Sequence, residues 1–148
     1  MTTWFLLAIA FGVGALITMQ VATNTRLKEA FGEAVPAVIV SSLIGVLILG
    51  VVTLLGRTPW PPTAQIVGAP WWAWLGGLLG AVYAVATVLL ARRLGAATLT
   101  ALVVTGQLVC SVALDHFGVL GFTGHGLSVG RVGGCLLLIA GFILISRF

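Results

Sequence analysis

The chain has 148 residues, of which 60% are hydrophobic and only 7% charged, and its mean hydropathy is +1.22. Soluble domains carry roughly 25% charged residues, so this composition excludes a water-facing globular surface and describes a membrane protein. The net charge of +4 is not a nucleic-acid footprint, because the seven basic residues stand between apolar runs, where they bear on topology.

Hydropathy divides the chain into five runs near 4–25, 34–56, 70–91, 96–116 and 128–146. Each is long enough to cross a hydrocarbon core of roughly 30 Å. With no water to satisfy backbone N–H and C=O groups there, the runs are expected to be helices. Residues 1–148 read as a single transmembrane domain, all-α with five spans. The first run has no Lys or Arg before it and no clean small-x-small site after it, so a signal peptide is not expected.

Span one closes on "MQVATNTR", which puts Gln20 and Asn24 one turn apart on one face. An unpaired amide in hydrocarbon costs several kcal/mol, so this face is expected to avoid lipid. Span two carries Ser41 and Gly45 at small-xxx-small spacing. The connection "GRTPWPPTAQIVGAP" (56–70) holds four of the five prolines and cannot continue a helix. Trp60, Trp71, Trp72 and Trp74 cluster beside it, as interfacial anchors do. Span three has Gly76 and Gly80 as a GxxxG pair and the only tyrosine, Tyr83, near its middle. "RRLG" (92–95) is short enough for a tight antiparallel hairpin into span four.

In span four, Thr100, Gln107, Ser111 and Asp115 follow at intervals of seven, four and four. At 100° per residue they stay within about 80° of arc, a polar stripe along the whole span. "GFTGHG" (121–126) lacks the Lys-Ser/Thr of a phosphate loop and reads as a flexible connection. Span five carries a second GxxxG pair, Gly130 and Gly134. Such pairs let helix backbones approach closely, within one chain or between two. Cys110 and Cys135 lack CxxC spacing and have no His at ligand distance, so they read as small packing residues. No cofactor or metal is expected, nor any enzyme activity: the spans hold no paired acids, no Ser/His constellation and no metal set.

The turns after spans one and three and the C-terminus hold Arg26, Lys28, Arg92, Arg93 and Arg147, while the opposite side holds Arg57 and Arg131. This bias places the N-terminus outside and the C-terminus in the cytoplasm. Span one then runs inward and span four outward. Gln20 falls at about the depth of Thr100, Gln107 falls near mid-membrane, and Asp115 with His116 at the outer end. Gln20, Asn24, Tyr83, Thr100, Gln107 and Ser111 are expected to line one polar cavity between spans one, three and four, where a small-molecule substrate binds. The alternative use of such groups is interhelical glue, worth about 0.6 kcal/mol on average; Thr18, Ser41, Ser42 and Thr98 are assigned to it. Asp115 and His116 are the candidates for proton coupling, and Asp115 also has His116 and Arg131 as pairing partners. No carboxylate lies in the middle of a span, which favours a neutral or zwitterionic substrate over a permanent cation.

The motifs resemble one family. "FGVGALITMQVATNTRLKEAFG" looks like the Gln-x-x-x-Asn-x-x-Leu signature of the bacterial YdcZ family, within the drug/metabolite transporter superfamily. "AVIVSSLIGVLIL" is similar to its second span, with Ser42 where an aromatic residue is common. The Trp-x-x-Gly-Gly, Gly-Gln-Leu and Asp-His-Phe-Gly elements between 70 and 122 resemble its central block, and "RVGGCLLLIAGFILI" its closing span. The resemblance implies a small bacterial inner-membrane exporter, with Gln20, Asn24, Gln107, Asp115 and His116 on recurrent polar positions. It also implies single dual-topology chains, or pairs of opposite orientation, as working forms.

Secondary transporters often bind substrate between inverted repeats. No internal repeat is found here, so the chain is expected to be one half of an inverted-repeat (EamA-like) transporter. Its partner would be a second copy or a homologous short chain in the opposite orientation. The expected function is export of small metabolites or drugs by alternating access in that antiparallel dimer. A non-transporting accessory subunit and a passive pore are the alternatives.

Overall fold

The computed structural model describes residues 3–120, 126 and 128–147. These form six α-helices and one 3-10 turn, with no strand among the described residues: α1 (Thr3–Phe31), α2 (Ala34–Leu55), α3 (Thr63–Val67), the turn Trp71–Trp74, α4 (Leu75–Leu94), α5 (Ala96–Phe117) and α6 (Val129–Arg147). Five segments are long and apolar enough to cross a membrane: α1, α2, α4 with its leading 3-10 turn, α5 and α6. The fold is therefore all-α with five spans. Residues 121–125 of the "GFTGHG" connection lie outside the described residues.

The helix ends differ from the hydropathy runs where charge and helix propensity part ways. The first run stops at residue 25 because Arg26 lowers hydropathy, yet α1 continues to Phe31. Arg, Leu, Lys, Glu and Ala are good helix formers, and Arg26 and Glu29 pair at 2.8 Å one turn apart. The helix closes at Gly32, whose φ of +82° lets its N–H reach the Lys28 carbonyl at 2.8 Å. At 1.5 Å per residue, α1 spans about 43 Å, so its last turns project beyond a 30 Å core. Pro36 follows in the first turn of α2, where the missing N–H has no intrahelical partner to lose.

The proline-rich connection does stop α2, but it is not structureless. Pro62 precedes the one-turn helix α3, and Pro70 precedes the 3-10 turn that leads into α4. A φ fixed near −65° prepares a helical start as readily as it ends one. "RRLG" is likewise not a loop. Arg92, Arg93 and Leu94 complete the last turn of α4, and Gly95 alone separates α4 from α5.

The helices group into two compact units, Met1–Arg92 and Arg93–Phe148. In the first, α1 packs on α2. Ala34 and Val38 of α2 cluster with Val88 of α4, flanked by Ala84 and Val85. These residues repeat at i,i+4, so each helix offers one narrow face. They gather where α1 ends, α2 begins and α4 ends, and Arg92 of α4 reaches Glu29 of α1 at 3.6 Å beside them. In the second unit α5 packs on α6. Ser128 starts α6 by accepting the Arg131 N–H on its Oγ at 3.3 Å, an N-cap that satisfies one of the unpaired donors of the first turn.

Candidate functional site

Gln20 and Asn24 share a face of α1 but not an environment. Gln20 is exposed in the single chain, whereas Asn24 is 7% exposed. The difference follows from the packing of α1 on α2. Asn24 lines a cavity of about 420 Å³ between the two helices, with Thr23, Arg26 and Leu27 from α1 and Ser41 and Ile44 from α2. None of the described residues hydrogen-bonds to the Asn24 amide, and none of its polar atoms is sealed without a partner. The amide therefore keeps access to open space, and the cavity is the space it lines.

This cavity lies inside the first unit and has α2 as its second wall. Within the first unit, Asn24 faces Ser41 of span two, while Gln20 and Tyr83 are not among the lining residues. Ser41, assigned from the sequence to helix–helix glue, belongs to the polar part of this wall. Thr23 and Arg26 were missed altogether. Thr23 turns its hydroxyl proton to the Gln20 carbonyl at 3.0 Å, leaving oxygen lone pairs free. The sequence marks Arg26 only as a topology charge, because nothing in its spacing places it at a cavity.

Tyr83 is half-buried in α4, and its carbonyl accepts the Thr87 hydroxyl at 2.9 Å. In the second unit α5 is unbroken from Ala96 to Phe117, so Thr100, Gln107, Ser111 and Asp115 keep the predicted register. Thr100 and Asp115 are half-buried, and Gln107 and Ser111 are exposed in the single chain. Asp115 takes Arg131, of its two candidate partners, at 3.3 Å. His116 instead sets its ring edge against Phe117, 5.1 Å between centroids.

Hydroxyls in the spans mostly turn back on their own helix. Thr18 donates to Gly14 O at 3.4 Å, Thr25 to Val21 O at 2.8 Å and Thr105 to Ala101 O at 2.7 Å. An i−4 carbonyl is always within reach of such a hydroxyl, and its oxygen still has lone pairs to offer a neighbouring helix. The GxxxG glycines are open as well. An added Cβ at Gly76, Gly80 or Gly134 would meet nothing within 4 Å, and at Gly130 only Ser128 Oγ at 4.0 Å. None of the four sets a close helix crossing inside its own unit. Cys110 and Cys135 are free thiols, and among the described residues no group of three His, Cys, Asp or Glu side chains could hold a metal ion.

Comparison with known proteins accords with this architecture. The family described as "Putative inner membrane exporter, YdcZ" matches residues 4–144, and the chain belongs to it. The chain is similar to Inner membrane protein YdcZ of Escherichia coli (strain K12), with 29% identity over 152 aligned positions that cover 99% of this chain and 95% of the relative. No solved structure matches it. Family and apolar helices together make it a multi-pass inner membrane protein, and the family's description points to transport rather than enzyme chemistry.

Proposed function

We propose that this member of the YdcZ family exports small metabolites or drugs by alternating access, as an antiparallel dimer of five-span chains. The observation that carries this reading is the exposure of Gln20 and Gln107 in the single chain. Each stands on a helix built for lipid, and a carboxamide left in hydrocarbon costs several kcal/mol. A second chain that covers both faces removes that cost and encloses a polar interior. The open glycines of α4 and α6 supply surfaces on which helices of two chains can approach closely.

An odd number of spans gives the pairing its geometry. A tandem copy would be inverted automatically, while two separate chains must insert in opposite senses to form an inverted repeat. The basic residues favour the N-terminus outside, but only Arg57 and Arg131 oppose five on the other side, so this orientation bias is moderate. A homodimer with some inverted chains and a heterodimer with a homologous short chain both satisfy it. Substrate would contact Gln20, Asn24, Tyr83, Thr100, Gln107 and Ser111 in the closed dimer. The pairing of Asp115 with Arg131 supports a neutral or zwitterionic cargo, since the one acid of span four already has a cation.

Single cysteines labelled from each side of the membrane test the pairing. Labelling from both sides, with cross-links between oppositely oriented chains, is the expected result. One uniform orientation in a membrane that contains no second homologue overturns it. Saturable flux with counterflow in liposomes separates a carrier from a pore, and flux from this chain (alone or with its partner) separates it from an accessory subunit.

A further inference from the structure

The cavity between α1 and α2 has more chemistry than a packing defect requires. Its volume of about 420 Å³ lies in the range of small-molecule sites. Most of its lining is aliphatic, from Leu27, Ala30 and Ile44, and its polar groups come from Asn24, Ser41, Thr23 and Arg26. Asn24 is more than nine-tenths buried and has no hydrogen-bond partner among the described residues. Its amide atoms are not sealed off, so donor and acceptor are both presented to whatever fills the cavity.

Charge selects the ligand. Glu29 lies 2.8 Å from Arg26 and 3.6 Å from Arg92, which leaves two guanidinium groups sharing one carboxylate. The Arg26 side chain is 84% exposed, and exposed ion pairs of this kind hold weakly. Arg26 can therefore turn to a second anion while Arg92 keeps Glu29. No acid lines the cavity. With the Thr23 proton committed to Gln20 O, the donors left among the lining residues are the Asn24 NH₂, the Ser41 hydroxyl and the Arg26 guanidinium, a set that suits a carboxylate.

We propose that the α1–α2 cavity binds a small amphiphile by an anionic oxygen head, held by Asn24 and Arg26 with Ser41, while its apolar body lies along Leu27, Ala30 and Ile44. The carboxylate of a zwitterionic substrate and an anionic lipid headgroup share this chemistry. As a substrate site the cavity rests on the exporter reading; the binding itself does not.

The test is calorimetric titration of the full chain in nanodiscs with hexanoate, hexanol and hexylamine, which share one body and differ in head. Saturable hexanoate binding, at least about tenfold tighter than that of the other two, is expected. Asn24→Leu and Arg26→Gln each weaken it about tenfold, the loss typical of a hydrogen bond to a charged group. Arg26→Gln changes an exposed side chain, so it guards against misfolding of the first variant. Discs of phosphatidylcholine alone are compared with discs containing phosphatidylglycerol. Competition by the anionic lipid assigns the anion site to a headgroup, and unchanged binding assigns it to free carboxylates. Equal affinity for hexanol, or hexanoate binding indifferent to both substitutions, overturns the proposal. Binding without flux in liposomes would leave this site standing and remove the exporter reading instead.

Discussion

The Asp115 carboxylate and the Arg131 guanidinium meet at 3.3 Å and tie the end of α5 to the start of α6. They stand sixteen positions apart in the chain, with the glycine-rich "GFTGHG" segment between them. The pair compensates the one acid of span four.

The Arg131 side chain is 35% and the Asp115 side chain 26% exposed, so solvent screens the pair and its contribution is discounted accordingly. A double-mutant cycle with Asp115→Asn and Arg131→Gln is expected to give a coupling of about 0.5–1 kcal/mol, read from unfolding in mixed micelles. A coupling indistinguishable from zero would mean that the two groups are solvated separately. If Asp115 instead carries protons during transport, Asp115→Asn removes the pH dependence of flux as well as the coupling.

The spans were legible in the sequence because lipid exposure writes itself into hydropathy, and lipid exposure is what their composition reports. What hydropathy cannot report is which helices touch. The small-xxx-small spacing of Ser41 marks a contact surface without naming its partner; in the first unit Ser41 lines a cavity together with Asn24. A hydroxyl on an apolar helix such as that of Thr18 needs an acceptor, and sequence spacing does not show that the nearest one belongs to its own helix. The end of α1 was missed because charge ends a membrane span but not a helix. The polar stripe of α5 needed only an unbroken helix to survive, and it did.

Gln107 sits about midway along α5, exposed in the single chain. Replacing it with Leu removes donor and acceptor together and leaves a residue that lipid tolerates well. Gln107→Leu is expected to abolish transport while insertion, helix content by circular dichroism and dimer yield stay at the parent level. Equal loss of folding and transport would move Gln107 from the substrate pathway to interhelical glue.

Gly80 lines a second cleft of about 420 Å³, between α2 and α4, with Ser42, Val46, Gly77 and Ala81. Among the described residues nothing lies within 4 Å of an added Cβ there. The Cβ of Gly80→Leu therefore meets no clash in the monomer, and the change improves helix propensity by up to about 1 kcal/mol. If α4 meets a second chain through this surface, the same change weakens association at least about tenfold. Thermal stability of the monomer in detergent and cross-linking yield in liposomes read the two effects separately. Unaltered dimer yield would place the chain–chain contact elsewhere.

Two glycine-to-alanine changes in one helix region should act with opposite sign. Gly95 has φ +77° and ψ 159°, a backbone region that only glycine occupies freely, and a side chain there costs about 1–3 kcal/mol. Gly106 is inside α5 with ordinary helical φ and open space at its Cβ, so Ala gains about 0.5–1 kcal/mol in monomeric protein. Urea or dodecyl sulfate titration of both variants measures the difference. A stabilising Gly95→Ala would show that α4 and α5 join through another conformation.

Arg57 ends α2 in the conformation that a glycine would normally take. Its φ is +49°, its N–H reaches Leu54 O at 3.3 Å, and the Thr58 N–H reaches Thr53 O at 3.1 Å, the two bonds of a Schellman cap. Gly56 stands one position too early to supply the left-handed turn; it is right-handed, with φ −75°. Arg57→Gly removes the clash of a Cβ in that region, a gain of about 1 kcal/mol. It also deletes one of the two basic residues on the outer side, which strengthens the bias toward an external N-terminus. The variant is therefore expected to unfold later yet insert in fewer inverted copies. For an antiparallel homodimer, transport then falls although stability rises, and two-sided cysteine labelling shows the lost population. For a heterodimer, whose partner supplies the opposite orientation, stability rises and transport holds. A variant less stable than its parent would rule out left-handed strain at Arg57 and leave the two assemblies to be separated by labelling alone.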